Sequence, residues 1–341
     1  MKRPSTSTLI ATLALSSALV VTGCSSQGDP VSFGSKDQQG QQDQQGQTQQ
    51  GSNPKASGDV RMPTNPREWE TQRTLADGTT VGLTTLKGKK SGFEGKVWVW
   101  APKQYFDKKY EKSAFPVLIA LPGSYGYPTN YWFGGDLKLQ ENIAKFSQEG
   151  KSQPFIVVMP VQNAAKDKYY DGSDIPGQPK MGTWMAEDVP DLVRENFRTF
   201  DDPKGWGFFG SSSGGYIGMK MVLQHPDKFS SVVAGGPDTR PDSPLWKGHE
   251  KEKQANNPEK LAAALIKKGG PDVNISIMLG TLEAGQANTK DFLKKYGKGP
   301  IHTNLHVIEG GKHEGKQYAK SLGDGPLEWL SKRMLSPTPS S

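Results

Sequence analysis

The chain has 341 residues, 42 Lys and Arg against 35 Asp and Glu, a formal charge of +7 and one cysteine. A single cysteine excludes an intrachain disulfide. The lysines spread through 87–112, 247–268 and 290–320 form no aromatic-interleaved stripe, which argues against a nucleic-acid partner and for a solvated surface drawn to anionic lipids or cell-wall polymers.

Residues 1–23 begin with Lys2 and Arg3, continue in an apolar run from Leu9 to Val21, and end in small residues. This is the pattern of a secretory signal, too short for a membrane span. Val21-Thr-Gly-Cys24 resembles the lipobox of bacterial lipoproteins, which implies cleavage before Cys24, a diacylglyceryl thioether on its sulfur, and a membrane as partner through that anchor. Residues 24–60, with Gln39-Gly-Gln-Gln-Asp-Gln-Gln-Gly-Gln47, hold too few apolar side chains for a core and are expected to form a disordered tether. Residues 61–335 are expected to form one α/β domain, and 336–341 a flexible tail.

Within that domain, Trp69 to Leu86 reads as a strand pair turning at Asp77-Gly78. Gly95-Lys-Val-Trp-Val-Trp-Ala-Pro102 is a further strand, ended by proline. Phe115-Pro-Val-Leu-Ile-Ala-Leu-Pro122 and Pro154-Phe-Ile-Val-Val-Met-Pro160 are apolar throughout, as strands buried on both faces are. A helix is expected over 183–197, a short strand over 205–210, a helix to Gln224 and a strand over 230–235. Asn257 as N-cap, Pro258 at the first position and Gly269 at the close punctuate another helix. Strands follow over 273–280 and 301–308, then a helix broken near 323–326. This alternation predicts a mostly parallel central sheet with helices on both faces and small or no lid.

The stretch Gly205-Trp-Gly-Phe-Phe-Gly-Ser-Ser-Ser-Gly-Gly-Tyr216 carries Gly210-x-Ser212-x-Gly214, a strand-to-helix turn with a serine at its tip. A serine nucleophile needs a base, and the base an orienting carboxylate. His313, in Glu309-Gly-Gly-Lys-His-Glu-Gly315, follows the last strand and is the candidate base; His225, His249, His302 and His306 read as turn, loop or sheet residues. Glu283, after the 273–280 strand, is the candidate carboxylate, with Asp238 as rival and Asp291 as a third. An oxyanion would be met by the N–H of Ser213 and by one from the Gly123 turn, either Ser124 or Tyr125. The histidines lack metal-ligand spacing, and no cofactor is called for.

Leu121-Pro-Gly123, Glu187-Asp-Val-Pro-Asp-Leu-Val193, Gly210-Ser-Ser-Ser-Gly-Gly215, His225-Pro-Asp-Lys-Phe229 and the glycine-flanked His313 together resemble the esterase D-like family, whose secreted actinobacterial branch includes mycolyltransferases. The resemblance covers about residues 95–330 and implies an α/β-hydrolase fold with a triad at Ser212, Glu283 and His313. The sequence departs from the family where Glu314-Gly315 replaces the usual aromatic after the histidine, and where Ser213 replaces the common Met. The expectation is an extracytoplasmic serine esterase or acyltransferase working through an acyl-enzyme; the alternative is an inactive hydrolase-fold lipoprotein that binds envelope glycan or lipid.

Overall fold

The computed structural model describes residues 31–33, 59–124 and 126–339. The signal segment, Cys24, most of the tether expectation and Tyr125 lie outside the described residues.

The strands in chain order are β1 (Val31–Ser32), β2 (Val60–Arg61), β3 (Glu68–Thr74), β4 (Thr80–Lys87), β5 (Glu94–Trp100), β6 (Val117–Leu121), β7 (Ile156–Pro160), β8 (Thr199–Phe200), β9 (Trp206–Ser211), β10 (Ser231–Gly235), β11 (Val273–Gly280) and β12 (Ile301–Ile308). Among the described residues ten of them form one sheet, in the order β1-β3-β4-β5-β7-β6-β9-β10-β11-β12, while β2 pairs with β8 alone. From β7 to β12 all neighbours are parallel; the β1-to-β5 side is antiparallel and joins β7 antiparallel. This is an α/β-hydrolase fold. Every residue of β6, β7, β9, β10 and β11 is buried, as expected of parallel strands covered by helices on both faces.

The hairpin at Asp77 forms because its carboxylate accepts from Thr79 N–H at 3.0 Å and Thr79 Oγ1 at 2.6 Å, with Gly78 at φ 84°. Asn257 caps its helix through Glu259 N–H at 2.9 Å. Two crossover helices lie where the sequence reading placed no element. Leu139–Gln148 buries Leu139, Ile143 and Phe146, and Gln286–Tyr296 buries Thr289, Phe292 and Tyr296. Both have their buried residues at helical spacing.

Two segments correct the expected boundaries. Residues 31–33 belong to the fold, not to a tether: β1 pairs with β3, and Phe33 is buried with its ring 4.9 Å from Phe197 and edge-on to Trp69 at 5.7 Å. One aromatic side chain can bury enough surface to order a short strand inside a polar stretch. The tail is likewise anchored as far as Thr338, whose carbonyl accepts from Ser113 Oγ, and Pro337 is buried.

Phe33→Ala is expected to cost about 3 kcal/mol, by the usual cost of emptying a buried aromatic site. A urea midpoint equal to the parent's would show that residues 31–33 contribute nothing to the fold.

Candidate active site

Five strands end on one edge of the sheet in near-equal register: Leu121 pairs with Gly210, Ser211 with Gly235, Gly235 with Met278, and Gly280 with Ile308. Ser212, Asp238, Glu283, His313 and Ser124 sit just beyond these ends. Ser212 follows β9 and opens the Ser213–Gln224 helix. Its backbone is at φ 53°, ψ −121°, a conformation that L-residues avoid and that needs enforcing. The Ser212 N–H donates to Gly235 O at 2.7 Å, tying the turn to β10. A Cβ at Gly210 would collide with the Gly214 carbonyl, and one at Gly214 with the Leu121 and Pro122 carbonyls. The glycines are therefore required by backbone-to-backbone approach.

Glu283 lies in the loop after β11, with its side chain only 2% exposed. Three donors meet its carboxylate. Gly280 N–H reaches Oε2 at 2.8 Å, while His313 Nδ1 and the Tyr318 hydroxyl each reach Oε1 at 2.7 Å. Burial works to raise the Glu283 pKa, but the bonds from His313, Gly280 and Tyr318 outweigh it and hold the carboxyl below the ordinary range. An ionised carboxylate only accepts, so Nδ1 carries the imidazole hydrogen and the lone pair is left on Nε2. The Glu283 bond, against partial burial, raises the His313 pKa above its ordinary 6.5. Burial and then the Glu283 contact raise the Tyr318 phenol, which keeps its proton and donates.

This cluster depends on Gly236. A Cβ there would strike Glu283 Oε1 and the Tyr318 hydroxyl and stand 2.7 Å from His313 Nδ1. Gly235 beside it makes room for the Tyr318 ring. Neither Gly236 nor Tyr318 was singled out from sequence, although Tyr318 stands only five residues beyond His313, on the Gly315–Ser321 helix.

Ser212, Glu283 and His313 line one cleft of about 320 Å³, together with Asp238, Thr239, Asn288 and Thr289. Among the described residues Ser212 Oγ has no hydrogen bond to the imidazole; apo sites of this kind often close that contact only with substrate bound. Asp238 lines the cleft but forms no ion pair with His313 among the described residues, and Asp291 is exposed on the Gln286–Tyr296 helix. On the other side of Ser212, Gly123 N–H donates to the Tyr131 hydroxyl, which bonds Ser211 Oγ at 2.7 Å. Ser124, at φ 56°, offers its carbonyl to Ser213 Oγ at 2.8 Å and Gln162 Nε2 at 3.1 Å. Ser213 opens a helix, so its N–H has no intrahelical acceptor. The other histidines serve elsewhere: His225 ends the Ser213–Gln224 helix, His249 precedes Glu250–Ala255, and His302 meets Asp272 at 3.3 Å. Among the described residues no group of three or more His, Cys, Asp or Glu could hold a metal ion.

The Esterase family model, described as Putative esterase, matches residues 93–323, well over half of the chain. The chain belongs to this esterase family. An uncharacterized protein of Corynebacterium glutamicum is 26% identical over 194 residues, 54% of this chain and 44% of that protein, so the esterase spans less than half of that relative's length. Among solved structures, the esterase is similar to a ferulic acid esterase at TM-score 0.60 and 18% identity, covering 75% of this chain and 99% of that one. It is also similar to an S-formylglutathione hydrolase from Agrobacterium tumefaciens at TM-score 0.58 and 17% identity, covering 76% and 98%. A fluorophosphonate-binding serine hydrolase F of Staphylococcus aureus gives TM-score 0.58 and 15% identity over 74% and 98%. At these identities the likeness is one of fold.

Titration of His313 by NMR is expected to give a midpoint above 6.5, and Glu283→Gln to lower it, because the carboxylate favours the imidazolium. Equal midpoints in parent and variant would contradict the Nδ1–Glu283 contact.

Proposed function

We propose that this esterase is an extracytoplasmic serine hydrolase or acyltransferase with Ser212 as nucleophile, His313 as base and Glu283 as the orienting carboxylate. One observation carries the reading: a serine held at positive φ on the end of β9 shares a cleft with an imidazole whose Nδ1 is bonded to a buried carboxylate. Strain at a turn tip is kept where surrounding structure enforces it, and such positions cluster at working sites.

In this mechanism Ser212 Oγ attacks the ester carbonyl carbon as His313 Nε2 takes its proton. Glu283 stabilises the imidazolium that forms and fixes the tautomer that can accept. The oxyanion is met by the Ser213 N–H at the helix start and by an N–H of the Ser124-Tyr125 turn. Collapse expels the alcohol, protonated by His313, and leaves an acyl-enzyme on Ser212. Water or a second hydroxyl, deprotonated by His313, then releases the acyl group. His313 must be neutral to begin, so activity rises with pH through its raised pKa, and the acid limb of kcat/KM lies above 6.5.

The ferulic acid esterase and the S-formylglutathione hydrolase among the structural neighbours support ester or thioester cleavage as the chemistry class. The location and anchor rest on residues 1–24. The signal pattern and Cys24 support a lipoprotein whose catalytic domain stands outside the membrane.

A fluorophosphonate probe is expected to label Ser212, and Ser212→Ala to lower p-nitrophenyl ester turnover by about 10^5-fold. Folded parent protein that neither labels nor turns over esters would defeat the catalytic reading in favour of a binding role. In the native cell, Cys24→Ser is expected to abolish incorporation of labelled palmitate and release the protein from membranes; undiminished incorporation would exclude Cys24 as the lipidation site.

A further inference from the structure

Asn288 lines the cleft at Ser212. The same residue lines a second, larger groove of about 530 Å³. That groove is bordered by Arg240, Lys294, Lys295 and Lys298 against only two carboxylates, Glu259 and Asp291. Glu259 is already engaged: it accepts from Arg240 at 2.8 and 3.3 Å and from Thr239 Oγ1 at 3.4 Å. Among the described residues Lys294 and Lys298 enter no ion pair, so their ammonium groups are free for a ligand. The floor is firm, since Phe292 and Tyr296 are buried on the helix that carries Lys294 and Lys295, with Lys298 just past its end.

The inner cleft has no lysine or arginine in its lining. Glu283 and Asp238 stand beside Ser212 and His313, followed by the uncharged Thr239, Asn288 and Thr289. A ligand crossing from one cavity to the other therefore passes from carboxylates, over neutral hydrogen-bonding groups, to a cationic end. An anion is repelled next to the reacting ester and attracted one groove away, which orients as well as attracts.

We propose that the Arg240–Lys294–Lys298 groove is a substrate subsite for an anionic group, phosphate or carboxylate, carried on the substrate beyond the ester that Ser212 attacks. The inference rests on the reading of Ser212 as nucleophile and adds the substrate class. These cations are exposed, so their attraction is modest and screened by salt.

The test compares p-nitrophenyl esters of matched acyl length ending in a carboxylate, a phosphate or an uncharged hydroxyl, over a series of spacer lengths. At low ionic strength kcat/KM for the charged esters should exceed that for the hydroxyl ester by about fivefold, and added NaCl should remove the advantage. The ratio of the two charged esters tells which anion the groove favours. The combined variant Arg240→Gln, Lys294→Gln, Lys298→Gln should bring the charged-to-neutral ratio to about one. A ratio near one in the parent, or one unmoved by the variant, overturns the subsite. If no ester is turned over, the nucleophile reading fails and the groove is judged by calorimetry with tripolyphosphate. Binding that the triple variant weakens at least about fivefold upholds an anion subsite, and no binding overturns it. Salt-sensitive retention on phosphatidylglycerol vesicles, without preference among soluble esters, would assign the charges to a membrane surface and also overturn it.

Discussion

A carboxylate taken out of water must be met by donors, and Glu283 is met by three that come from three separate pieces of chain: the end of β11, the loop after β12, and the helix that follows. An unpaired buried carboxylate costs several kcal/mol, so these pieces are locked to one another by the requirement to satisfy it. The imidazole geometry follows from that lock. His313 is itself nearly half exposed, with its ring edge-on to Tyr318, and the fixed carboxylate supplies the orientation. The bare backbone of Gly235 and Gly236 is the other half of the constraint, because three polar atoms converge where a side chain would otherwise stand.

The serine is placed by a different means. Its turn is held by backbone contacts: Gly210 against Gly214, Gly214 against the end of β6, and the Ser212 N–H on β10. The strained φ is thus imposed by the two neighbouring parallel strands, not by the serine's own preferences. Parallel register has a further consequence. Because β6, β9, β10, β11 and β12 all run the same way and end nearly level, five loops distant in sequence open on one edge. The Ser213–Gln224 helix behind the turn is buried on all sides, and Lys220 within it is fully buried, with its ammonium on Gly172 O and on Ser173 Oγ at 2.6 Å. That contact ties the helix to the loop after β7.

The charges around the cleft form a gradient of function as well as of sign. Carboxylates close to the imidazole favour its protonated form, while the lysines of the next groove lie beyond the neutral Thr239, Asn288 and Thr289. Arg240, Lys294, Lys295 and Lys298 gather at that one groove, while other lysines lie scattered along the chain.

The sequence by itself determined what depends on near neighbours. The apolar runs became buried parallel strands, Asp77-Gly78 a hairpin, Asn257-Pro258 a helix start, and Gly210-x-Ser212-x-Gly214 a strained strand-to-helix turn, because each is governed by side-chain spacing or by local backbone sterics. The tertiary structure alone decided what depends on convergence. Glu283 and Asp238 both follow strands, and the sequence favoured Glu283 but kept Asp238 as a rival; only Glu283 bonds the imidazole, because its loop folds back on Gly280. Tyr318 and Gly236 become part of the site through contacts across 35 and 47 residues of chain to Glu283, and no periodicity encodes them. Phe33 is drawn out of a polar stretch into an aromatic cluster for the same reason: burial is a property of what arrives from elsewhere, not of the residues alongside.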